Sequence, residues 1–267
     1  MKNVLEFNDE YKIGECIGRG NFGNAWIVSN RKTKKTYIMK MLFTNGSSEK
    51  EKKMGENEVG VLKSMNHESI VKYIEYFFEN EKYLMVMEFC SGGDLKQAID
   101  KQKHLGSFSE DIVLIWFGQL ISGLKYLMEK KVLHRDLKPN NVFLTSEKKI
   151  KIGDFGLAKT LDDNYEMAKT RDGCRIYMSP ERHRGERYNH KVDVWALGCI
   201  LYELCTLKHT FTNVPDILDG RYEPIPDGLH PGVSVYVPRL LHMDPNKRPS
   251  ADKILRYVVL NNLFDSF

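Results

Sequence analysis

The first third of the chain alternates hydrophobic and polar residues, whereas the remainder mostly has the spacing of helices. Residues 11–18, 24–30 and 36–43 alternate and are separated by a glycine-rich stretch and a basic turn, which predicts three antiparallel strands. Residues 49–65 predict a helix, and residues 70–89 predict two more strands that meet around Asn80. A small sheet-rich lobe therefore precedes a larger helical lobe, with the boundary near residues 88–93.

The helical part contains two long apolar segments. Residues 107–110 have the S-x-x-E form of a capping box ahead of residues 112–127, an apolar stripe that we expect in the core. Residues 192–207 are apolar on nearly all sides, which predicts a helix in the middle of the domain. The basic run of residues 182–187 is expected to be a solvated surface loop. A sheet followed by helices indicates the α+β class.

Composition narrows the class of protein. The 267 residues are 42% hydrophobic and 28% charged, which argues against disordered, collagenous and membrane proteins. A formal net charge of +4 is too small to indicate a nucleic-acid partner. The five cysteines are scattered without a C-x-x-C pair, so we expect reduced thiols. Residues 1–10 contain no apolar signal region, and residues 192–205 are shorter than the ~20 residues of a membrane span. We therefore expect a cytoplasmic chain without a nucleic-acid or membrane partner.

Residues 18–23 read GRGNFG and match the pattern G-x-G-x-x-G. Such a loop could be a hairpin without function, the first turn of a dinucleotide-binding unit, or a loop that covers nucleotide phosphates. A dinucleotide-binding unit requires a helix after the last glycine and an acidic residue about 20 residues further on. Here a strand pattern follows the loop, and the downstream residue is Lys40, a cation. The dinucleotide interpretation is thereby excluded.

Lys40 follows an apolar strand pattern, where a surface lysine with a buried stem would be the ordinary interpretation. The next helix argues against it, because Glu58 lies within an apolar face formed by Met54, Val61, Leu62 and Met65. A buried carboxylate needs a cation, since breaking such a pair typically costs ~3–5 kcal/mol. We predict that Glu58 pairs with Lys40 and that Lys40 also holds nucleotide phosphates.

The most specific motif is HRDLKPNN at residues 134–141, which contains every fixed position of H-R-D-L-x-x-x-N. The tripeptides at residues 154–156, DFG, and 179–181, SPE, follow in order. These residue types suit phosphoryl transfer, in which a protein positions the groups and neutralises charge. Asp136 can accept the proton of a substrate hydroxyl, Lys138 can stabilise the γ-phosphate, and Asn141 and Asp154 can ligate Mg²⁺. Zinc-type clusters and the G-x-S-x-G motif are absent from the sequence, so hydrolase interpretations have no support.

Over residues 11–257 the chain resembles the catalytic domain of eukaryotic protein kinases. Finer strings are similar to the NIMA-related (NEK) serine/threonine kinases: YIMK at 37–40, VMEFC and SGGDL at 86–95, Gly153 before Asp154, and WALGCILYELCTLKH at 195–209. The resemblance implies a single bilobal kinase domain. Its N-lobe of about residues 11–87 would hold a five-stranded sheet and one main helix, its hinge would be residues 88–93, and its mostly helical C-lobe residues 94–260.

The resemblance also implies ATP and Mg²⁺ as cofactors and serine or threonine residues of proteins as substrates. Met87 stands at the gatekeeper position beside adenine, backbone groups of Glu88 and Cys90 would bind the adenine edge, and Asp94 would lie near the ribose. Asp193 would brace the catalytic loop, and Glu181 would pair with Arg248. The residues expected to cover the nucleotide are Ile17, Gly18, Arg19, Gly20, Asn21, Phe22, Gly23, Asn24 and Ala25.

Two features bear on regulation. Thr170 lies in a basic stretch, and Arg135 offers a cation to a phosphate there, so phosphorylation of Thr170 is expected to raise activity. Residues 173–181 read GCRIYMSPE where the family resembles GTPYYMSPE, so Cys174 replaces a hydroxyl that ties this loop to Asp136 and Lys138. We expect a weaker tie, and a thiol whose pKa is lowered by Lys138 and which is open to oxidation.

Residues 211–220 are short for the family, which suggests a truncated or unwound helix. This segment and Cys174 favour an alternative function, a pseudokinase that binds nucleotide and acts as an interaction module. The presence of Lys40, Asp136, Asn141 and Asp154 favours activity. An association with the cytoskeleton would rest on family analogy alone.

Overall fold

A computed structural model describes residues 10–20, 23–160 and 174–260. The N-terminal part is an antiparallel sheet of five strands in the order β1-β2-β3-β5-β4. The strands are β1 Tyr11–Gly20, β2 Gly23–Asn30, β3 Thr36–Thr44, β4 Tyr73–Glu79 and β5 Lys82–Glu88. One helix, α1 Glu49–Lys63, connects β3 to β4. The strands, the helix and their order agree with the sequence-based expectation of an N-lobe sheet with one main helix.

The turn between β4 and β5 has the backbone of a tight hairpin. Asn80 and Glu81 both have positive φ angles, 49° and 60°, as the central residues of a type I′ turn require. Leu84, Met85 and Val86 in β5 are fully buried in the centre of the sheet. The buried strand β5 pairs with β3, so Lys40 of β3 and Met87 of β5 lie on neighbouring strands within the sheet.

Helix α1 begins with a capping box that the sequence analysis missed. The Ser48 hydroxyl accepts from the Glu51 backbone N–H at 3.3 Å, and the Glu51 carboxylate accepts from the Ser48 N–H at 2.7 Å. Gly55 faces the sheet, and a Cβ there would lie 2.3 Å from the Phe43 ring. The absence of a side chain at Gly55 therefore allows α1 to pack closely against β3, and Glu58, one turn further along α1, is buried as well.

The C-terminal part is mostly helical and is organised around α3 Glu110–Glu129 and α5 Lys191–Thr206. The other helices are α2 Leu95–Gln102, α4 Pro180–His183, α6 Val214–Asp219, α7 Pro231–Ser234, α8 Val237–Leu240 and α9 Ala251–Leu260. Short strands form two further ribbons, which pair β6 Val132–Leu133 with β9 Lys159–Thr160 and β7 Val142–Leu144 with β8 Ile150–Ile152. Helix α6 confirms that the segment after Phe211 contains only a short helix.

The predicted start of α3 was wrong by two residues. Ser109, not Ser107, is the N-cap, and its hydroxyl accepts from the Ile112 backbone N–H at 3.4 Å. Phe108 and Val113 then occupy the positions of a hydrophobic staple, and both are buried. Among the described helices α3 alone is long and apolar enough, by length and composition, to cross a membrane. However, 56% of that stretch is buried inside the protein, as is typical of a core helix.

Candidate active site

The predicted site residues converge where the sheet meets the helical part. Lys40 comes from β3 and Glu58 from α1, whereas Asp136, Lys138 and Asn141 lie between β6 and β7. Asp154 lies two residues after the end of β8, next to Gly153. Four separate segments of the chain thus supply the charged groups.

Lys40 lies between two carboxylates. Its Nζ is 2.6 Å from Glu58 Oε1 and 3.1 Å from Asp154 Oδ1, and the Lys40 side chain is only 12% exposed. Burial alone would lower the pKa of Lys40, but the two carboxylates raise it above its ordinary value. The predicted pair with Glu58 is confirmed, and the contact with Asp154 joins the sheet to the helical part.

The Asp136 carboxylate is held from three directions. Its Oδ2 accepts from Lys138 Nζ at 2.6 Å and from Asn141 Nδ2 at 3.0 Å, and its Oδ1 accepts from the Cys174 backbone N–H at 2.8 Å. Asn141 Nδ2 also donates to the Asp136 backbone carbonyl at 2.8 Å. These contacts fix the orientation of a carboxylate that is 5% exposed.

The loop that carries Asp136 is braced by a buried acid of α5. Asp193 accepts from the backbone N–H groups of His134 at 2.9 Å and Arg135 at 3.0 Å. Arg135 has a φ of 67°, and His134 Nε2 contacts the Gly153 carbonyl at 3.0 Å. Asp193 thus holds an irregular backbone in place, which agrees with the role that the family resemblance implied for it.

Asp154 and Asn141 present oxygen atoms suited to a hard cation. Burial would raise the pKa of Asp154, but Lys40 lowers it below its ordinary value, so the carboxylate is ionised. The side-chain nitrogen of Asn141 donates to Asp136, so the side-chain oxygen Oδ1 remains available as a metal ligand. No group of three or more His, Cys, Asp or Glu side chains is arranged around a metal position in the described ranges. Two ligands from the protein, with phosphates and water as the others, fit Mg²⁺.

The glycine-rich stretch forms the tip of the β1–β2 hairpin. Gly18 pairs with Ala25, Arg19 with Asn24, and Gly20 with Gly23. Asn21 and Phe22 lie outside the described residues. Ala25 also pairs with Lys40 of β3, which places the hairpin beside the Lys40 cluster. Ile17, before the first glycine, is 51% exposed. This placement favours a loop that covers phosphates over a hairpin without function.

The end of β5 and the residues that follow it connect the two parts. Met87 pairs with Ile38 across β3 and β5. The Glu88 backbone N–H donates to the Lys72 carbonyl at 2.9 Å, and the Glu88 carboxylate lies 3.0 Å from Lys151 Nζ. The contact with Lys72 occupies the amide of Glu88, so only its carbonyl is left to meet an adenine.

Cys90 and Asp94 follow in the same connection and lead into the helical part. Cys90 is buried, which raises the pKa of its thiol to about 12. Asp94 is the N-cap of α2, and its carboxylate accepts from the Gln97 N–H at 2.8 Å and from Gln97 Nε2 at 3.1 Å. Both oxygens of the residue expected near the ribose therefore already have a partner within the protein.

The expectation for the Cys174 thiol was wrong. Burial raises its pKa, and the opposing effect of Lys138 is smaller. The sulfur accepts from the Ile176 backbone N–H, while the contact with Asp136 is made by the Cys174 backbone. The tie between this segment and Asp136 therefore does not depend on the side chain at position 174. Thr170 lies outside the described residues.

The basic run was also predicted incorrectly in part. Arg184 and Arg187 are exposed, but Arg182 is 3% exposed. Its Nη1 donates to the Arg135 carbonyl at 2.6 Å, and its guanidinium lies 5.2 Å from the centroid of the Tyr188 ring. Arg182 thus supports the loop of Asp136 through the Arg135 carbonyl. Apart from the nearby Tyr188, nothing in the sequence indicated this role.

A cluster of polar side chains that the sequence did not reveal supports the segment after Cys174. The Tyr177 hydroxyl donates to the buried Glu203 carboxylate of α5. His209 Nδ1 contacts the same carboxylate at 3.1 Å. Burial and Glu203 together raise the pKa of Tyr177, and the hydrogen bond with Glu203 raises the pKa of His209.

A family model of the protein kinase domain matches residues 11–260, so the chain belongs to the protein kinase family. It is similar to the serine/threonine-protein kinase Nek5 of Mus musculus, with 39% identity over 262 residues that cover 96% of this chain and 41% of that protein. Nek1 of Mus musculus is 40% identical over 253 residues, which cover 92% of this chain and 21% of that protein.

The similarity extends to relatives from more than one organism. The probable serine/threonine-protein kinase nek2 of Dictyostelium discoideum is 36% identical over 262 residues, which cover 93% of this chain and 62% of that protein. The resemblance to NEK kinases that the motifs indicated is thereby confirmed. The chain spans about two fifths of the mouse Nek5 and about one fifth of the mouse Nek1.

Proposed function

We propose that this chain is a serine/threonine protein kinase that transfers the γ-phosphate of ATP to hydroxyl groups of protein substrates. The observation that carries the proposal is the Asp136 carboxylate, which Lys138, Asn141 and the Cys174 backbone orient. Lys138 also acts electrostatically on Asp154, which in turn contacts Lys40. Membership of the protein kinase family and the similarity to named serine/threonine kinases support it.

Each residue has a distinct task in this proposal. Asp136 accepts the proton of the substrate hydroxyl as that oxygen attacks the γ-phosphorus, and its fixed orientation places it for this transfer. Lys138, in contact with Asp136, also reaches the transferred phosphoryl group and offsets its negative charge. Lys40, held by Glu58, binds the phosphates that remain on the nucleotide.

ATP and Mg²⁺ are the cofactors of the proposed reaction. Asp154 and Asn141 would hold the cation, which when bound offsets charge on the phosphates. Lys40 also contacts Asp154, so it orients that carboxylate as well as the nucleotide. Met87 and the backbone carbonyl of Glu88 would meet the base, and the hairpin of Gly18, Gly20 and Gly23 would cover the phosphates.

The variant Asp136→Asn tests the proposal. We expect it to abolish phosphate transfer to a generic protein substrate while ATP affinity and the melting temperature change little, because the amide cannot accept the proton. Asp100→Asn is the matched control, since Asp100 pairs with Lys103 at 2.8 Å on the exposed face of α2. Its activity should equal that of the unmodified protein.

Residual transfer of more than a few per cent of the original rate in Asp136→Asn would contradict this role. An unmodified protein that binds ATP but transfers no phosphate would instead point to the pseudokinase alternative. The similarity to named kinases does not support that alternative.

We also propose that phosphorylation of Thr170 raises activity. A phosphate adds about −1.5 to −2 charges and can order a loop by pairing with an arginine. Arg135 supports this because its backbone is fixed by Asp193 and its Nε donates to the Leu157 carbonyl. Phosphatase-treated protein and Thr170→Ala should both be less active than the phosphorylated form, and equal activity of all three would contradict the proposal.

A cytoplasmic location is a further part of the proposal. Cys16, Cys90, Cys174, Cys199 and Cys205 are all free thiols, which supports a reducing compartment. Fluorescence microscopy of the tagged chain checks it, and a signal confined to a secretory compartment would contradict it.

A further inference from the structure

Arg175 is an exposed cation one residue after the backbone N–H that binds the Asp136 carboxylate. It follows Cys174, whose backbone N–H donates to Asp136 Oδ1 at 2.8 Å, and it begins a single turn of 3₁₀ helix, Arg175–Tyr177. The corresponding residue of the family pattern GTPYYMSPE is a proline, which carries no charge. Any recognition by this side chain therefore belongs to this chain rather than to the general pattern.

The backbone of Arg175 is fixed on both sides. Its carbonyl accepts from His183 Nε2 at 2.8 Å and from the Met178 N–H at 3.4 Å. Tyr177, at the other end of the turn, is buried and bonded to Glu203 of α5. The guanidinium thus extends from a fixed point, so little backbone entropy is lost when it binds a ligand.

The acidic groups near this turn already have cations of their own. Helix α6 packs against the turn, and its Asp216 and Asp219 lie 3.3 Å and 2.9 Å from Arg221 Nη2. Glu203, below the turn, contacts His209. Within the parts of the chain that the structure describes, the Arg175 guanidinium has no carboxylate within salt-bridge distance. Among the described residues its charge is therefore not paired, and it can attract an anion of a substrate.

The position of Arg175 limits which part of a substrate it can meet. A hydroxyl that gives its proton to Asp136 must lie ~2.6–3.2 Å from that carboxylate. The Cα of Arg175 is ~3.8 Å along the chain from the residue bonded to Asp136, and an extended substrate advances ~3.3–3.6 Å per residue. The long arginine side chain therefore reaches residues on either side of the phosphate-accepting one.

We propose that Arg175 is a specificity-determining residue that selects substrates with an anionic side chain, a carboxylate or a phosphate monoester, within two residues of the phosphate-accepting serine or threonine. This inference rests on the proposed kinase function. Arginine suits both anions because its planar donors match their oxygen atoms. A phosphate carries about −1.5 to −2 charges and should be favoured over a carboxylate.

The test measures transfer of labelled phosphate to a set of peptides. The peptides share one serine acceptor and differ by alanine, aspartate, phosphoserine or lysine at each of the two positions before and after it. At one or more positions we expect kcat/KM for aspartate to exceed that for alanine about three- to fivefold, as for an exposed ion pair, and phosphoserine to exceed aspartate. The preference should weaken as salt is raised.

Variants assign the preference to one side chain. Arg175→Gln should bring the ratio of aspartate to alanine close to one, Arg175→Lys should retain most of it, and Arg175→Glu should favour lysine. Arg256→Gln removes a cation from α9, far along the chain, and should keep the original ratio. Because the readout is a ratio between peptides, a variant that folds less well does not imitate the effect.

Three results would overturn the inference. An unmodified protein that phosphorylates all peptides equally has no anion preference, and a preference that survives Arg175→Gln comes from another residue. Absence of transfer to every peptide would overturn the proposed function, and the inference with it.

A preference for phosphoserine alone, in contrast, supports the inference and identifies previously phosphorylated proteins as the substrates.

Discussion

The ion pair between Glu181 and Arg248 offers a sharp test of how the helical part is held together. Arg248 Nη1 lies 2.6 Å from Glu181 Oε1, and Nη2 lies 2.8 Å from Oε2. The Arg248 side chain is 0% exposed, that of Glu181 is 4% exposed, and the guanidinium lies 4.9 Å from the centroid of the Trp195 ring. Arg248 Nε also donates to the His242 carbonyl at 2.8 Å. This pair ties α4, directly after the segment of Cys174, to the segment between α8 and α9.

Glu181→Gln keeps the volume of the side chain and removes its charge. A buried arginine is then left without a counter-charge, and breaking such a pair typically costs about 3–5 kcal/mol. For a domain of this size each kcal/mol lowers the melting temperature by about 2–4 °C, so we expect a loss of about 6–20 °C. One of the two hydrogen bonds from Arg248 is lost as well, because glutamine has a single acceptor oxygen and its NH₂ group would face an N–H of the guanidinium, so we expect the full range to apply.

Urea unfolding followed by circular dichroism measures the effect, with the midpoint and the slope fitted separately. The matched control is Glu223→Gln, because Glu223 pairs with Lys208 at 3.0 Å and both side chains are largely exposed, 75% and 67%. The control should lose less than about 1 kcal/mol. A Glu181→Gln variant that is no less stable than Glu223→Gln would refute the reasoning that burial makes this pair structurally important.

The remaining predictions concern the site and its surroundings. Cys174→Thr should change kcat less than about twofold, and mild peroxide should leave activity unaltered, because the tie to the catalytic loop is a backbone contact and the raised pKa keeps the thiol protonated. Because Glu203 raises the pKa of His209, this interaction stabilises the fold below the unfolded pKa of about 6.5 and is lost as pH rises through the folded pKa. The stability advantage of the unmodified protein over His209→Gln should therefore be larger at pH 6 than at pH 8 in urea unfolding, and an advantage that grows with pH would contradict this. Glu58→Gln should lower kcat/KM more than about tenfold, because Lys40 then has one carboxylate instead of two. Activity within twofold of the original would show that the pair is dispensable.

The sequence predicted the features that follow from periodicity and from the cost of burying charge. The five strands were predicted because their side chains alternate and their turns carry Asn80 or a basic run. The Lys40–Glu58 pair was predicted because a carboxylate on an apolar helix face has few stable alternatives. The first argument uses only the local periodicity of the sequence. The second adds one general rule, that a buried charge needs a partner of opposite charge.

The errors arose where tertiary packing chose between equivalent local patterns. Both Ser107 and Ser109 could cap α3, and burial of Phe108 against Trp116, with ring centroids 5.2 Å apart, accompanies the choice of Ser109. Likewise, a run of arginines does not reveal that Arg182 lies beneath the loop of Asp136. The pKa of Cys174 depends on burial, which sequence neighbours do not determine.

The charges around the site follow one arrangement. Groups that position others are neutralised within the protein, as Lys40 is by Glu58 and Asp154, and as Asp136 is by Lys138. Each such pair costs desolvation and is compensated locally, so it fixes the geometry in which these groups would meet the nucleotide. Arg175, in contrast, is exposed, and it directly follows the residue whose backbone N–H binds the carboxylate that a substrate hydroxyl must reach. The protein therefore separates the charges that hold the site in shape from the charge that a substrate would meet first, and substitutions at the two kinds of position should affect kcat and substrate preference, respectively.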